Sequence, residues 1–153
     1  MNLRYPLLLF VCAGNICRSP MAEAIAADRI TREALRLRVA SAGLIALEGA
    51  EATEHTRSAI EAIGLRLDAH RARVISRDEV GEAALVVAAT ARQRDELRRT
   101  FPQQREKIVS FDDVTGLGDV ADPYGADEYE FHRTAALIQA GMPRILAAAT
   151  RHR

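Results

Sequence analysis

Apolar positions along the chain follow two rhythms, unbroken short runs and helical repeats. Leu7-Leu8-Leu9-Phe10-Val11 is a continuous run, as expected of a strand covered on both faces of a parallel sheet. It ends in a loop holding Gly14 and Asn15. Ser19-Pro20 then opens a helical pattern with Met21, Ala24, Ile25, Ala27 and Ile30 on the repeat and Glu23 early in it. Proline suits a first helical turn, and Ser19 is predicted to cap it. Leu37-Arg38-Val39-Ala40 predicts a second short strand, closed by Ser41-Ala42-Gly43. His55 to Ile63 reads as a helix stopped by Gly64. Ala84 to Ala89 is a third buried strand, after which Thr90 caps a polar helix running to about Thr100 and closed by Pro102. Ile108-Val109-Ser110-Phe111 is a fourth strand and Asp112 to Tyr129 is mostly loop. The last helix carries Phe131, Ala135, Leu137, Ile138, Ile145 and Leu146.

Strands alternate with helices throughout, which predicts an α/β fold: a single-domain doubly wound sandwich over residues 1–153, its four-stranded parallel sheet flanked by helices on both faces. Such sheets place their sites at the carboxyl ends of the strands, near the point where strand order reverses. The first strand leads directly to Cys12. Composition fits one domain, with 153 residues, 48% of them hydrophobic, and 21 basic against 21 acidic side chains. A chain of that length buries roughly two thirds of its unfolded surface, so it needs no staples. Its two cysteines cannot build a disulfide framework, nor alone fill a four-ligand zinc site. Zero net charge argues against a nucleic-acid partner. Met1 to Ala13, with Arg4 ahead of an apolar run, has the outline of a signal peptide but makes better sense as the buried first strand. No stretch approaches the roughly 18 apolar residues of a membrane span. The expectations are therefore no membrane partner and a cytoplasmic location, where thiols stay reduced.

Chemistry enters between the first strand and first helix, in Val11-Cys12-Ala13-Gly14-Asn15-Ile16-Cys17-Arg18-Ser19-Pro20. A loop of this kind can turn successive backbone NH groups inward around an anion, with the helix dipole behind it. Arg18 can grip two phosphate oxygens in a planar fork. The same field acts on Cys12, because a thiol at a helix N-terminus beside a guanidinium is driven toward the thiolate. A thiolate at the bottom of a phosphate cradle is a nucleophile poised to form a phosphocysteine intermediate. Ser19 is spaced to hydrogen-bond that thiolate, and Gly14 is expected to relieve the backbone where a side chain would block the turn. A lone buried cysteine is more often an inert hydrophobe. Here the preceding strand, the Gly-Asn loop and the Ser-Pro helix start supply the context that the motif requires.

Expelling an alcohol or phenol from phosphate needs a proton donor on another loop. Asp122, in Asp122-Pro123-Tyr124-Gly125, is the candidate. Pro123 stiffens the turn and Tyr124 offers an aromatic wall for a planar substrate. Without the cysteine loop the segment would read as an ordinary Asp-Pro turn.

At these residues the sequence resembles the low-molecular-weight protein tyrosine phosphatase family. The match covers nearly the whole chain: Cys12 through Ala24, Ser41-Ala42-Gly43, His70-Arg71-Ala72-Arg73 and Asp122-Pro123-Tyr124-Gly125, in the family's order. The resemblance implies Cys12 as nucleophile, Arg18 as phosphate clamp, Asp122 as general acid and then base, and Ser19 as support for the thiolate. It implies a phosphate-binding loop of Ala13, Gly14, Asn15, Ile16, Cys17, Arg18 and Ser19, with Asn15, Ser41 and His70 holding it in shape. Phosphorylated protein or peptide substrates, phosphate ion as product, and neither metal nor organic cofactor are implied as well. Cys17 matches the family's second loop cysteine, which can trap an oxidised nucleophile as a disulfide.

Two activities share this scaffold. Members acting on phosphotyrosine usually carry Ile at the position of Ile16, whereas the protein arginine phosphatases carry Thr there. An isoleucine offers an apolar wall to an aryl ring. Other features resemble the arginine-phosphatase branch: the region from Thr90 through Phe101-Pro102, the single aromatic after Asp122-Pro123, the basic end Arg151-His152-Arg153, and Leu44 to Gly49 without an aromatic. Phosphotyrosine is favoured, with phosphoarginine the near alternative. Arsenate reductases that share the loop relay a disulfide through further cysteines, and this chain has none beyond Cys12 and Cys17. A noncatalytic phosphate-binding module would not need a thiol together with an acid. His55, His132 and His152 read as surface residues. Arg92-Gln93-Arg94 and Arg98-Arg99 read as the solvated face of a helix.

Overall fold

Strand β1 (Leu7–Cys12) is buried along its whole length in the computed structural model, which describes residues 2 and 4–151. Met1 and Leu3 of the leader-like segment, and His152 and Arg153 of the basic end, lie outside the described residues. Parallel pairing joins β1 to β2 (Arg38–Gly43) and β3 (Leu85–Ala88), and β3 to β4 (Ile108–Ser110), in the order β2-β1-β3-β4. The chain leaves β1 toward one edge and returns to the other side, so strand order reverses at the carboxyl end of β1.

Side chains alternate across the pleat, which sends Leu8, Phe10 and Cys12 into one apolar layer and Leu7, Leu9 and Val11 into the other. Helices α1 (Arg18–Arg32), α2 (Glu54–Ala62) and α6 (Glu128–Arg151) close the first layer with Met21, Ile25, Ile60, Phe131, Ile138 and Ile145. Helices α3 (Arg77–Glu82) and α4 (Ala91–Thr100) close the second with Val80 and Leu97. The sheet is thus covered on both faces. Among the described residues no helix is long and apolar enough to cross a membrane.

Several local expectations are corrected. Ser19 does not cap α1: the helix begins at Arg18, no side chain caps it, and the Ser19 hydroxyl turns instead to the Cys12 sulfur, 3.0 Å away. Ser41-Ala42-Gly43 does not close β2 but belongs to it, because Phe10 to Cys12 provide partners for all three residues. Within 112–129 a further helix, α5 (Phe111–Thr115), forms because the Ser110 and Asp113 side chains satisfy each other's amides. A 3-10 turn over Pro102–Lys107 was not foreseen either. Of the α4 arginines, Arg92 and Arg99 are exposed as expected. Arg94 is held by Asp113 and Asp95, Arg98 by the Ile108 carbonyl, and Gln93 is buried in the capping box with Thr90.

Candidate active site

Cys12 is the last residue of β1 and is 2% exposed. The chain turns after it through Ala13 to Cys17 and enters α1 at Arg18. That turn is pinned from outside through its carbonyls. The carbonyl of Cys12 accepts from the Leu44 amide, Ala13 from Ile45, Ile16 from Thr53 and Cys17 from Met21, while His70 Nε2 lies 2.7 Å from the Asn15 carbonyl. The amides of residues 13–18, in contrast, find no acceptor among the described residues. The Ser19 amide faces the Cys12 sulfur at 3.4 Å. With its carbonyls bonded and these amides unpaired, the loop leaves a set of donors beside the thiol, the kind of loop that binds oxyanions.

The conformation is held by Asn15 rather than Gly14. Asn15 is fully buried, in the left-handed region at φ 57°, which asparagine tolerates better than most residues. A β-carbon on Gly14 would make only ordinary contact with Ile16, so the expectation that Gly14 relieves the turn is not met. Gly43 is the glycine that the loop needs. The Asn15 amide group donates to Ser19 at 2.8 Å and Ser41 at 3.0 Å, and its oxygen accepts from the Arg73 amide.

Arg18 is 5% exposed. Its Nη1 donates to the Val120 carbonyl at 3.0 Å, and Nη2 is 3.7 Å from Asp122. Its Nε is buried without a partner among the described residues. A buried donor left so is costly, and an oxyanion in the cradle is its natural acceptor. Asp122 is half exposed, and its other oxygen accepts from the Tyr124 amide in a tight turn. Burial pushes the Cys17 thiol up, against the lowering effect of bonds to Thr56 and Thr53, so it stays protonated at neutral pH.

Together Cys12, Ala13, Gly14, Ile16, Cys17, Arg18, Asp122 and Tyr124 line a pocket of about 200 Å³, joined by Ile45. Asn15, Ser19, Ser41 and His70 lie behind the loop. Ile45, 80% exposed, was missed because the sequence reading weighed Leu44 to Gly49 only for its lack of an aromatic; the run of apolar residues in that loop was the signal. A larger groove of about 630 Å³ lies at the amino ends of the strands beside Pro6, Ala84 and Lys107, but no cysteine lines it. Among the described residues no cluster of His, Cys, Asp and Glu could hold a metal ion.

A buried thiol inside an amide cradle, clamped by an arginine and faced by a carboxyl, defines the class of cysteine-based phosphatases. A family model described as low molecular weight phosphotyrosine protein phosphatase matches residues 7–153, and the chain belongs to that family. Among its relatives is the protein-arginine-phosphatase of Geobacillus stearothermophilus, 35% identical over 130 residues that make up 84% of each chain. The crystal structure of a low molecular weight protein tyrosine phosphatase from T. tengcongensis superposes with a TM-score of 0.89 at 30% identity, covering 93% of this chain and 98% of that one. A YwlE arginine phosphatase mutant with a phosphorylated active-site serine gives 0.87 at 31% identity, covering 92% and 93%.

Proposed function

We propose that this protein hydrolyses phosphotyrosine in protein or peptide substrates, with one domain spanning residues 1–153 carrying the whole site. The observation that carries the reading is one pocket lined by the buried Cys12 thiol, the unpaired loop residues, Arg18 and Asp122. In the first step the Cys12 sulfur attacks phosphorus, the bond from phosphorus to the phenol oxygen breaks, and Asp122 protonates the departing phenolate. The amides of residues 13–18 and the Arg18 guanidinium take up the charge on the three equatorial oxygens. In the second step Asp122 takes a proton from water, the water oxygen attacks phosphorus, and the S–P bond breaks. Phosphate leaves and the thiolate returns, steadied by Ser19. Asn15, Ser41 and His70 keep the loop in shape.

Ile16, Ile45 and Tyr124 give the mouth apolar walls suited to an aryl ring. Free thiols at both cysteines fit a reducing, cytoplasmic setting. A second reading, protein arginine phosphatase, is supported by the relative of that name at 35% identity. Side-by-side kcat/KM on phosphotyrosine and phosphoarginine peptides separates the two. The expected result is a tyrosine preference that Ile16→Thr erodes by about tenfold, the scale of one wall contact. A parent enzyme faster on phosphoarginine overturns the substrate assignment. The same assay with Cys12→Ser tests the phosphatase itself, since metal-independent turnover that survives the substitution rules out the thiol mechanism.

A further inference from the structure

We infer that Glu23 is a positioning residue whose carboxylate holds Ser41 as a pure acceptor for Asn15, and through Asn15 keeps Ser19 in place to donate its proton toward the Cys12 thiolate. This deepens the phosphatase reading and rests on it. Glu23 lies in α1, one turn beyond Ser19, and is half-buried.

The hydrogen-bond chain follows atom by atom. The Arg73 amide can only donate, and it points at Asn15 Oδ1 at 3.1 Å, which fixes the Asn15 side chain. Both Nδ2 hydrogens then go outward, to Ser19 Oγ at 2.8 Å and Ser41 Oγ at 3.0 Å. A hydroxyl has one hydrogen to give. Ser41 gives its hydrogen to Glu23 Oε1, 2.5 Å away, because an ionised carboxylate accepts only. Ser41 is thereby a pure acceptor toward Asn15. Ser19, having accepted from Asn15, has two acceptors for its own hydrogen: the Cys12 sulfur at 3.0 Å and the Ala42 carbonyl at 3.5 Å. The shorter contact and the charge of the thiolate decide for Cys12. Remove the carboxylate, and the Ser41 hydrogen loses its acceptor and can turn against the Asn15 amide hydrogens. Asn15 is then no longer held from the Ser41 side, and its hold on Ser19 loosens.

Glu23 also acts as a plain negative charge, and that effect has the opposite sign, since it opposes a thiolate. The other charged or titratable groups around the network are Arg18, Asp122, His70, Arg73 and Cys17, and none of them is changed by substitutions at Glu23. Charge and the hydrogen bond to Ser41 can therefore be separated. Glu23→Gln removes the charge but keeps an oxygen that can accept from Ser41; Glu23→Ala removes both.

The test is to titrate the Cys12 thiolate by its ultraviolet absorbance, taken as the difference from the Cys12→Ser protein, and to measure kcat and KM on an aryl phosphate. The proteins are the parent, Glu23→Ala, Glu23→Gln, Ser41→Ala and the Glu23→Ala/Ser41→Ala double variant. One hydrogen bond is worth a factor of roughly three to ten. Glu23→Ala should move the thiolate titration upward by about half to one pH unit and lower kcat by that same factor, with KM changing by less than about twofold. Glu23→Gln should titrate at or below the parent and recover most of the lost kcat. In the Ser41→Ala background Glu23→Ala should add nothing, because its effect runs through Ser41. A Glu23→Ala protein that titrates with Glu23→Gln at or below the parent, or costs as much without Ser41, overturns the inference. Failure of the phosphatase reading looks different: the parent shows no Cys12-dependent turnover, while the titration still reports on the network.

Discussion

A β-carbon on Gly43 would sit 2.7 Å from the Ala13 carbonyl oxygen and 3.0 Å from the Asn15 amide nitrogen. Both are backbone atoms of the loop around Cys12, so neither can move without moving the unpaired amides of residues 13–18. Gly43→Ala is expected to lower kcat/KM by roughly tenfold or more, since misplacing a preorganised site by a fraction of an ångström has that scale of cost. Steady-state kinetics on an aryl phosphate check it, and unchanged kinetics would show that the loop can yield. Asp122 supports a second prediction. If it protonates the leaving group, Asp122→Asn should lower kcat about a hundredfold on phosphotyrosine but much less on an aryl phosphate whose leaving group needs no proton. Equal losses on both would remove it from that role. Cys12 and Arg18 were legible as candidates because residue type and spacing in one short segment carry their chemistry, and Asp122 only because that segment calls for a proton donor elsewhere in the chain. Gly43 was legible only as part of a motif, and its reason, the approach of the Ala13 carbonyl, is a distance across the sheet.

At the scale of elements, packing overrides propensity in α6. Gly141 sits in the helix interior, where alanine would be favoured by about 1 kcal/mol. A β-carbon there would lie 2.6 Å from the Phe111 ring and 2.7 Å from Thr115 of α5. Overpacking a tight contact costs about 1–3 kcal/mol, so Gly141→Ala should lower the melting temperature despite the better helix former. A rise would show that α5 can move aside. Thr90 gives the opposite kind of case, legible from sequence, because a cap is local. With Gln93 reciprocating, Thr90→Ala should cost about 1 kcal/mol by denaturant titration. The short helix α5 was not legible, since five residues carry too little periodicity. Its formation rests on the Ser110–Asp113 box and on α6 lying across it.

For the molecule as a whole, two groups tie stability to pH at opposite ends of the scale. Burial would raise the Asp113 carboxyl, but the Ser110 amide and the Arg94 guanidinium outweigh it and hold Asp113 below the usual carboxylate range. Its contribution is therefore present above about pH 4, where an unfolded aspartate is ionised, and is lost as pH falls through its lower folded value. Chemical denaturation of the parent and Asp113→Asn should show a gap at neutral pH that closes in acid. Cys17 acts at the other end. Burial raises its thiol, so its contribution is complete below about pH 8.5 and is lost as pH rises through the folded value. Stability of the parent should fall in that alkaline range more steeply than that of Cys17→Ala. A parallel fall would place the titration elsewhere.

The chain by itself determined the alternation of strands and helices, the thiol at the end of β1 and the arginine at the start of α1, because periodicity and short spacing are properties of neighbours in sequence. Tertiary structure decided what brings distant residues together. Asn15 meets Ser41 and Arg73, Arg18 meets the Val120 carbonyl, Ile45 joins the pocket wall, and Ser19 gives up a cap to face a thiol. Each of those contacts depends on where the parallel pairing of β1 with β2 and β3 sets the ends of the strands, a register that no local pattern along the chain encodes.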